Sequence, residues 1–303
     1  MNEEVNNILL NPTASTVSNN TEALVREKAL ETDMAFMFEA YTEENISELI
    51  YSEKPELIAL LGLNDYGKST FVGSLYQLLR TNEEYMGYSL VDSNTLVGFE
   101  RRVFLRKVND EGKSAVKRTI RNTGSLLDLK LKDTAGSYRH IVLSDSAGEI
   151  YRDCISKDVT VKEQIAIKVA DRLLLFVNCE EFSDHTKPWK DDLSGMLNRF
   201  QRNDMLPESA IVYLVFNKYD KVKDAIDSDM IEGFINEVAT LVSEFLTIED
   251  SNIYRVNSRG IRMHSEDEGL KSLIEAILKP IQEDRAQYKQ LDWLSNNIKN
   301  SKS

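Results

Sequence analysis

Eight consecutive residues, Gly62-Leu63-Asn64-Asp65-Tyr66-Gly67-Lys68-Ser69, narrow the folds open to this 303-residue chain more than any other segment. They read G-x-x-x-x-G-K-[ST], and their flanks matter as much as their letters. Upstream, after Pro55, residues 57–61 spell Leu-Ile-Ala-Leu-Leu, too short for a helix and bounded by Pro and Gly, as a strand buried on both faces requires. Downstream, residues 70–79 carry helical spacing. A strand that turns through glycines into a helix aims successive backbone N–H groups and the positive helix end at one point, where a phosphate chain fits. Lys68 then neutralises the β and γ oxygens, and the Ser69 hydroxyl ligates Mg²⁺. The expected ligand is a nucleoside triphosphate with magnesium, held by Gly62, Asn64, Asp65, Tyr66, Gly67, Lys68, Ser69 and Thr70. Asp65 is expected to point outwards or cap a turn, because a carboxylate facing bound phosphates would weaken binding.

Further strands are expected at residues 126–131, 141–144, 173–178, 211–216 and 253–256, with helical patterns at about 160–170, 190–202, 228–246 and 267–279. That alternation predicts an α/β fold, a doubly wound, mostly parallel sheet with helices on both faces. Residues 1–22 read as a mobile tail, 23–55 as a helical N-terminal extension, 56–280 as the nucleotide-binding domain and 281–303 as a C-terminal helix and tail. The net charge of −13 disfavours nucleic acid and anionic membranes as partners. No apolar run is long enough to span a bilayer, and the first residues lack a secretory signal. Cys154 and Cys179 read as buried filler in a reducing cytoplasm, and His140, His185 and His264 show no metal-ligand spacing with them.

The base is read from Asn217-Lys218-Tyr219-Asp220, an N-K-x-D directly after the apolar run 211–216. A carboxylate there can accept the N1–H and N2 amino hydrogens of guanine, whereas adenine offers neither. An adenine nucleotide remains the alternative only because phosphate recognition is blind to the base. A D-x-x-G motif occurs three times, at Asp133, Asp145 and Asp192. The first lies between two strand-like segments and makes a good hairpin turn, and the third falls within a helical pattern. Asp145 closes an apolar strand, so its carboxylate is expected at a magnesium-bound water and the Gly148 N–H at the γ-phosphate.

With these motifs in this order, residues 57–280 resemble the P-loop GTPases of the translation-factor and Ras-like class. The resemblance implies a magnesium-binding threonine in a first switch segment between the P-loop helix and the hairpin. Thr95, Thr119 and Thr123 are the candidates, with Thr119 favoured. It also implies a purine-contacting loop at Val256-Asn257-Ser258-Arg259, with the Ser258 N–H and Arg259 at the base. Leu75-Tyr76, the long stretch 81–124 and Asp145-Ser146-Ala147-Gly148-Glu149 look like the double-GTPase domains of bacterial conflict and defence systems. That finer likeness implies a switch acting on a protein effector.

Glu149 takes the place of the water-orienting glutamine of Ras-like members, and an ionised carboxylate can only accept hydrogen bonds. Arg118 or Arg121 could supply a positive charge in cis. The expected machinery is thus Lys68, Glu149 and Arg118 for catalysis and Ser69, Thr119 and Asp145 for Mg²⁺. The alternative is a GTP-binding scaffold or dimerisation module with little hydrolysis.

Overall fold

The computed structural model describes residues 39–42, 46, 55–110, 125–183, 188–258 and 268–281. Along the chain the elements are β1 (Glu56–Leu61), α1 (Lys68–Thr81), β2 (Tyr88–Asp92), α2 (Leu96–Asp110), β3 (Leu126–Asp133) and β4 (Tyr138–Ser144). There follow α3 (Gly148–Cys154), α4 (Asp158–Lys162), α5 (Ile165–Lys168), β5 (Arg172–Asn178), α6 (Glu180–Ser183) and α7 (Trp189–Arg202). The series ends with β6 (Ile211–Asn217), α8 (Ser228–Ser243), β7 (Ile253–Val256) and α9 (Glu268–Leu278).

The strands form one seven-stranded sheet in the order β2-β3-β4-β1-β5-β6-β7. β4, β1, β5, β6 and β7 run parallel, in register at Leu57–Val142, Leu60–Leu174 and Val215–Tyr254. β3 is antiparallel to β2 and β4. β5 is buried along its whole length, as an apolar strand covered on both faces must be. The fold is therefore the expected doubly wound α/β sheet. β1 sits between β4 and β5, so the chain departs to opposite sides at its carboxyl end, which is where open α/β sheets form their ligand crevice. Phe71 of α1 packs on Phe176 of β5 at 5.6 Å, and Phe234 of α8 meets Phe216 of β6 edge-on at 5.9 Å.

Several local expectations change. The long stretch 81–124, for which no strand or helix was expected, contains β2 and α2. β2 is a short, half-exposed edge strand, and its partner β3 supplies the pairing that its own residues do not advertise. The helix expected at 160–170 is two short ones, broken at Gln164 with φ −90 and ψ 57. Of the N-terminal stretch expected as helix, the described residues include Tyr41 in an antiparallel bridge with Leu126, closed by N–H···O bonds of 2.7 and 3.0 Å. The hairpin expected at Asp133 is present: Asp133 N donates to Ser137 O at 2.9 Å, and Ser137 N donates to Asp133 Oδ1 at 2.8 Å. All but Ile281 of the stretch expected as a C-terminal helix lies outside the described residues, as does the whole N-terminal tail.

Candidate functional site

β1 delivers the chain into a loop whose two glycines are required by space and dihedral. A Cβ on Gly62 would stand 2.9 Å from the Phe176 carbonyl oxygen. Gly67 has φ +88, and a Cβ there would strike the Asn217 side-chain amide. Gly67 also starts α1 without a side-chain cap, so the first-turn N–H groups are left for a ligand. Tyr66 turns its ring into the core and its hydroxyl to Glu181. Asp65 is exposed with φ 61, in line with the expectation that it faces outwards. The Lys68 ammonium is folded back onto the loop, donating to Gly62 O at 2.6 Å and Leu63 O at 3.1 Å. Burial pushes its pKa down to about 8, against the raising influence of Asp145 and then Asp65. The Tyr151 ring of α3 lies beneath it, 5.2 Å from centroid to Nζ.

β4 ends beside this loop. Asp145 is fully buried, and its Oδ1 accepts from the Ser69 hydroxyl at 3.0 Å. Its Oδ2 accepts from Arg102 Nε at 2.6 Å, an ion pair that sequence reasoning missed. Arg102 is one of three arginines among the fifteen α2 residues, and nothing in the sequence ties it to a carboxylate so far along the chain. Gly148 presses against the P-loop, where a Cβ would come within 2.5 Å of Asn64 Oδ1. Glu149 lies in the first turn of α3, half-buried. That helix is pinned by Tyr151, whose hydroxyl donates to Leu60 O of β1 at 2.9 Å. Asp192, the third D-x-x-G aspartate, sits in α7 and pairs with Arg152 at 3.4 Å.

On the base side, Asn217 ties two loops together. Its Nδ2 donates to Tyr66 O at 2.7 Å, and its Oδ1 accepts from Ser258 N at 3.0 Å. Ser74 of α1 donates to Ser258 O at 2.6 Å, which fixes the Ser258 turn to the P-loop helix. The Ser258 N–H expected to face the base is thus engaged by Asn217. Its buried Oγ has no partner among the described residues. Lys218, at φ 59, pairs with Glu180 at 2.7 Å, and Asp220 follows it in a half-buried 3₁₀ turn. A polar cavity of about 410 Å³ lies alongside, lined by Asn64, Asp65, Glu181, Trp189 and Lys218 among others.

Among the threonine candidates, Thr95 is occupied elsewhere. Its buried hydroxyl donates to Asp128 Oδ1 and accepts from Asp128 N, both at 3.0 Å, at the start of α2. Hydrogen bonds from His140, Asn94 and Thr95 hold the Asp128 carboxyl below its ordinary value although burial, the largest influence, acts to raise it. Thr119, Thr123, Arg118, Arg121 and Arg259 lie outside the described residues. Both cysteines are free and buried, and burial pushes each thiol up to about 12. Among the described residues there is no metal-ligating cluster of His, Cys, Asp and Glu and no helix long and apolar enough to cross a membrane.

Residues 56–278 match the family Double-GTPase 2. The chain belongs to that family. No curated protein matches this Double-GTPase 2 member. Solved structures similar to it include the Roco2 RocCORdC of Methanosarcina barkeri bound to GDP, with 11% identity and a TM-score of 0.36 over 74% of this chain and 48% of that one. Another is the GTPase-like domain of S. cerevisiae Ski7 bound to GDP and inorganic phosphate, with 14% identity and a TM-score of 0.40 over 78% of this chain and 53% of that one. A third is the signal recognition particle receptor SRb-GTP/SRX complex of Chaetomium thermophilum, with 11% identity and a TM-score of 0.44 over 74% of this chain and 98% of that one. The Double-GTPase 2 member thus spans about half the length of the first two.

Proposed function

We propose that this Double-GTPase 2 protein is a Mg²⁺-dependent switch that binds GTP, hydrolyses it and signals the difference to an effector protein, in a bacterial defence setting. The observation that carries the reading is the Ser69–Asp145 hydrogen bond at the uncapped start of α1. A Ser69 hydroxyl that donates its proton to Asp145 has the polarity that a cation ligand needs, and Asp145 can accept from a water on that cation. The residues therefore fit magnesium, which when bound would neutralise charge on the phosphate oxygens. Ser69 and Asp145 would hold it, with Thr119 as the third contact.

Guanine follows from the other half of the site. Asp220 offers a carboxylate to the N1–H and N2 amino group, and the Asn217 and Ser258 turns beside it form the wall of that half. Asn217 keeps that wall in register with the P-loop. Lys68 already lies in the loop, and a polyphosphate would draw its ammonium off the Gly62 and Leu63 carbonyls. Glu149, one residue past Gly148, would orient the attacking water, with Arg118 supplying positive charge and Arg259 bordering the base. A second reading, a scaffold that keeps GTP intact, draws on Tyr151, which pins α3 to β1 two residues after Glu149.

The test is product analysis by chromatography after incubation with GTP or ATP and Mg²⁺, with bound nucleotide recorded as well. Wild type is expected to yield GDP and leave ATP untouched, while Lys68→Ala turns over neither nucleotide and Asp220→Asn prefers the xanthosine nucleotide. Glu149→Ala is expected to bind GTP without turning it over. GTP retained intact by wild type would favour the scaffold, and equal use of ATP would overturn the guanine assignment.

A further inference from the structure

Arg102 is a buried charge for which phosphate and base recognition have no use. Its side chain is 5% exposed and its partner Asp145 is fully buried. The arginine is carried on α2, which packs so closely on α1 that a Cβ on Gly73 would stand 3.2 Å from the Arg102 carbonyl carbon. The packing is fixed by other contacts as well: Phe99 stacks on Tyr76 at 4.8 Å, and the Tyr76 hydroxyl donates to Glu100 at 2.8 Å. The guanidinium is then held twice, by Nη1 to Gly98 O at 3.0 Å and by Nε to Asp145 Oδ2 at 2.6 Å. Gly73 is one helical turn beyond Ser69, so α2 reaches the cation side of the P-loop.

We propose that Arg102 is a positioning residue that weakens the hold of the nucleotide site on Mg²⁺ by competing for Asp145. The inference rests on Ser69 and Asp145 being the magnesium contacts. A fully buried carboxylate needs a partner, and Arg102 supplies one whenever no cation is bound. A dication arriving at Asp145 meets a fixed positive charge in a poorly screened interior, and one of the carboxylate oxygens is already engaged. Both effects lower its affinity. Removing the guanidinium acts with the same sign twice, since the repulsion disappears and the cation-free state loses the partner of a buried charge. A merely structural arginine would behave differently: its loss would loosen α2 and weaken nucleotide binding at every Mg²⁺ concentration alike. α2 thereby becomes the element through which a contact at the surface reaches the metal.

The experiment is Mg²⁺ titration of the full chain, reading retention of a fluorescent GDP analogue, for wild type, Arg102→Met and Arg102→Lys. The Mg²⁺ midpoint of Arg102→Met is expected to fall by at least about tenfold, the scale of one charge near a dication even when it is well screened. Arg102→Lys, which keeps the charge, is expected to stay within about twofold of wild type. A midpoint for Arg102→Met that is unchanged or raised overturns the proposal while leaving the magnesium site standing. Retention by wild type that ignores chelator overturns the magnesium reading itself, and an absence of GDP binding overturns the proposed function. If Arg102→Met does not fold, Arg102→Gln, neutral but still a donor to Gly98 O, carries the same comparison.

Discussion

Lys68 keeps an ammonium where water does not reach, and the consequence is a proton balance that can be measured. Burial brings its pKa down to about 8, against an ordinary 10.5. Between those values the folded chain binds fewer protons than the unfolded one, so the contribution of Lys68 to stability grows as pH rises through that window. A bound polyphosphate acts oppositely, favouring the charged form. Above about pH 8, GDP binding must therefore take up a proton, and affinity is expected to fall towards about tenfold per pH unit. Calorimetry in two buffers of different ionisation enthalpy would count that proton; binding with no uptake would contradict the buried geometry. At this scale the motif letters were legible because each reports a local requirement. Gly67 has a left-handed backbone, and Asp145 could be separated from Asp133, which turns a hairpin, and from Asp192, which lies within a helical pattern. Arg102 was not legible, since its role depends on a carboxylate 43 residues away.

α2 carries a glycine whose replacement has an informative sign. In an ordinary helix Gly→Ala stabilises by about 0.5 to 1 kcal/mol. At Gly98 a Cβ would run into the Glu39 carbonyl oxygen and stand 2.7 Å from Leu127 Cδ2, because the Glu39–Tyr41 segment lies across this turn. Arg101 pairs with Glu39 in the same place. Gly98→Ala is therefore expected to destabilise by about 1 to 3 kcal/mol in urea unfolding; stabilisation would mean that the segment does not pack there. β2 and α2 escaped sequence reading for related reasons. β2 has only half-buried and exposed residues, and α2 lies against α1 and the Glu39 segment, so its apolar face is divided between two partners. The parallel strands were legible because burial on both faces leaves an unbroken apolar run.

Across the whole molecule, the end of the sheet opposite the P-loop is closed by charge. Arg172, 2% exposed, pairs with Glu56 and donates to the Tyr213 hydroxyl and to the carbonyls of Ala276 and Lys279. Arg139 joins Glu56 as well and donates to the carbonyls of Ile277 and Leu278. Two guanidiniums thus satisfy the free carbonyls at the end of α9, where the helix dipole is negative, and bolt it to β1 and β5. Arg172→Ala is expected to cost about 3 kcal/mol of stability, because Glu56, Tyr213 and the carbonyls of Ala276 and Lys279 each lose a donor at once, although Arg139 stays with Glu56. The GDP affinity of the folded fraction should stay at the wild-type value, as the network is at the far end of the strands; a loss of affinity at retained stability would contradict this separation.

The strand, turn and helix of the P-loop and the place of Asp145 at the end of an apolar strand were determined by sequence alone, because each depends on residues that are neighbours in the chain. The hydrophobic runs likewise specified a parallel sheet, since a strand buried on both faces has no polar side to present. Only the tertiary structure decided that Ser69, Arg102 and Asp145 share one carboxylate, that Thr95 serves Asp128, and that Arg172 and Arg139 close α9. Those pairings join charged or polar residues of common types over long separations. Their energies come from burial and from the exclusion of water, which exist only once the sheet and its helices have assembled.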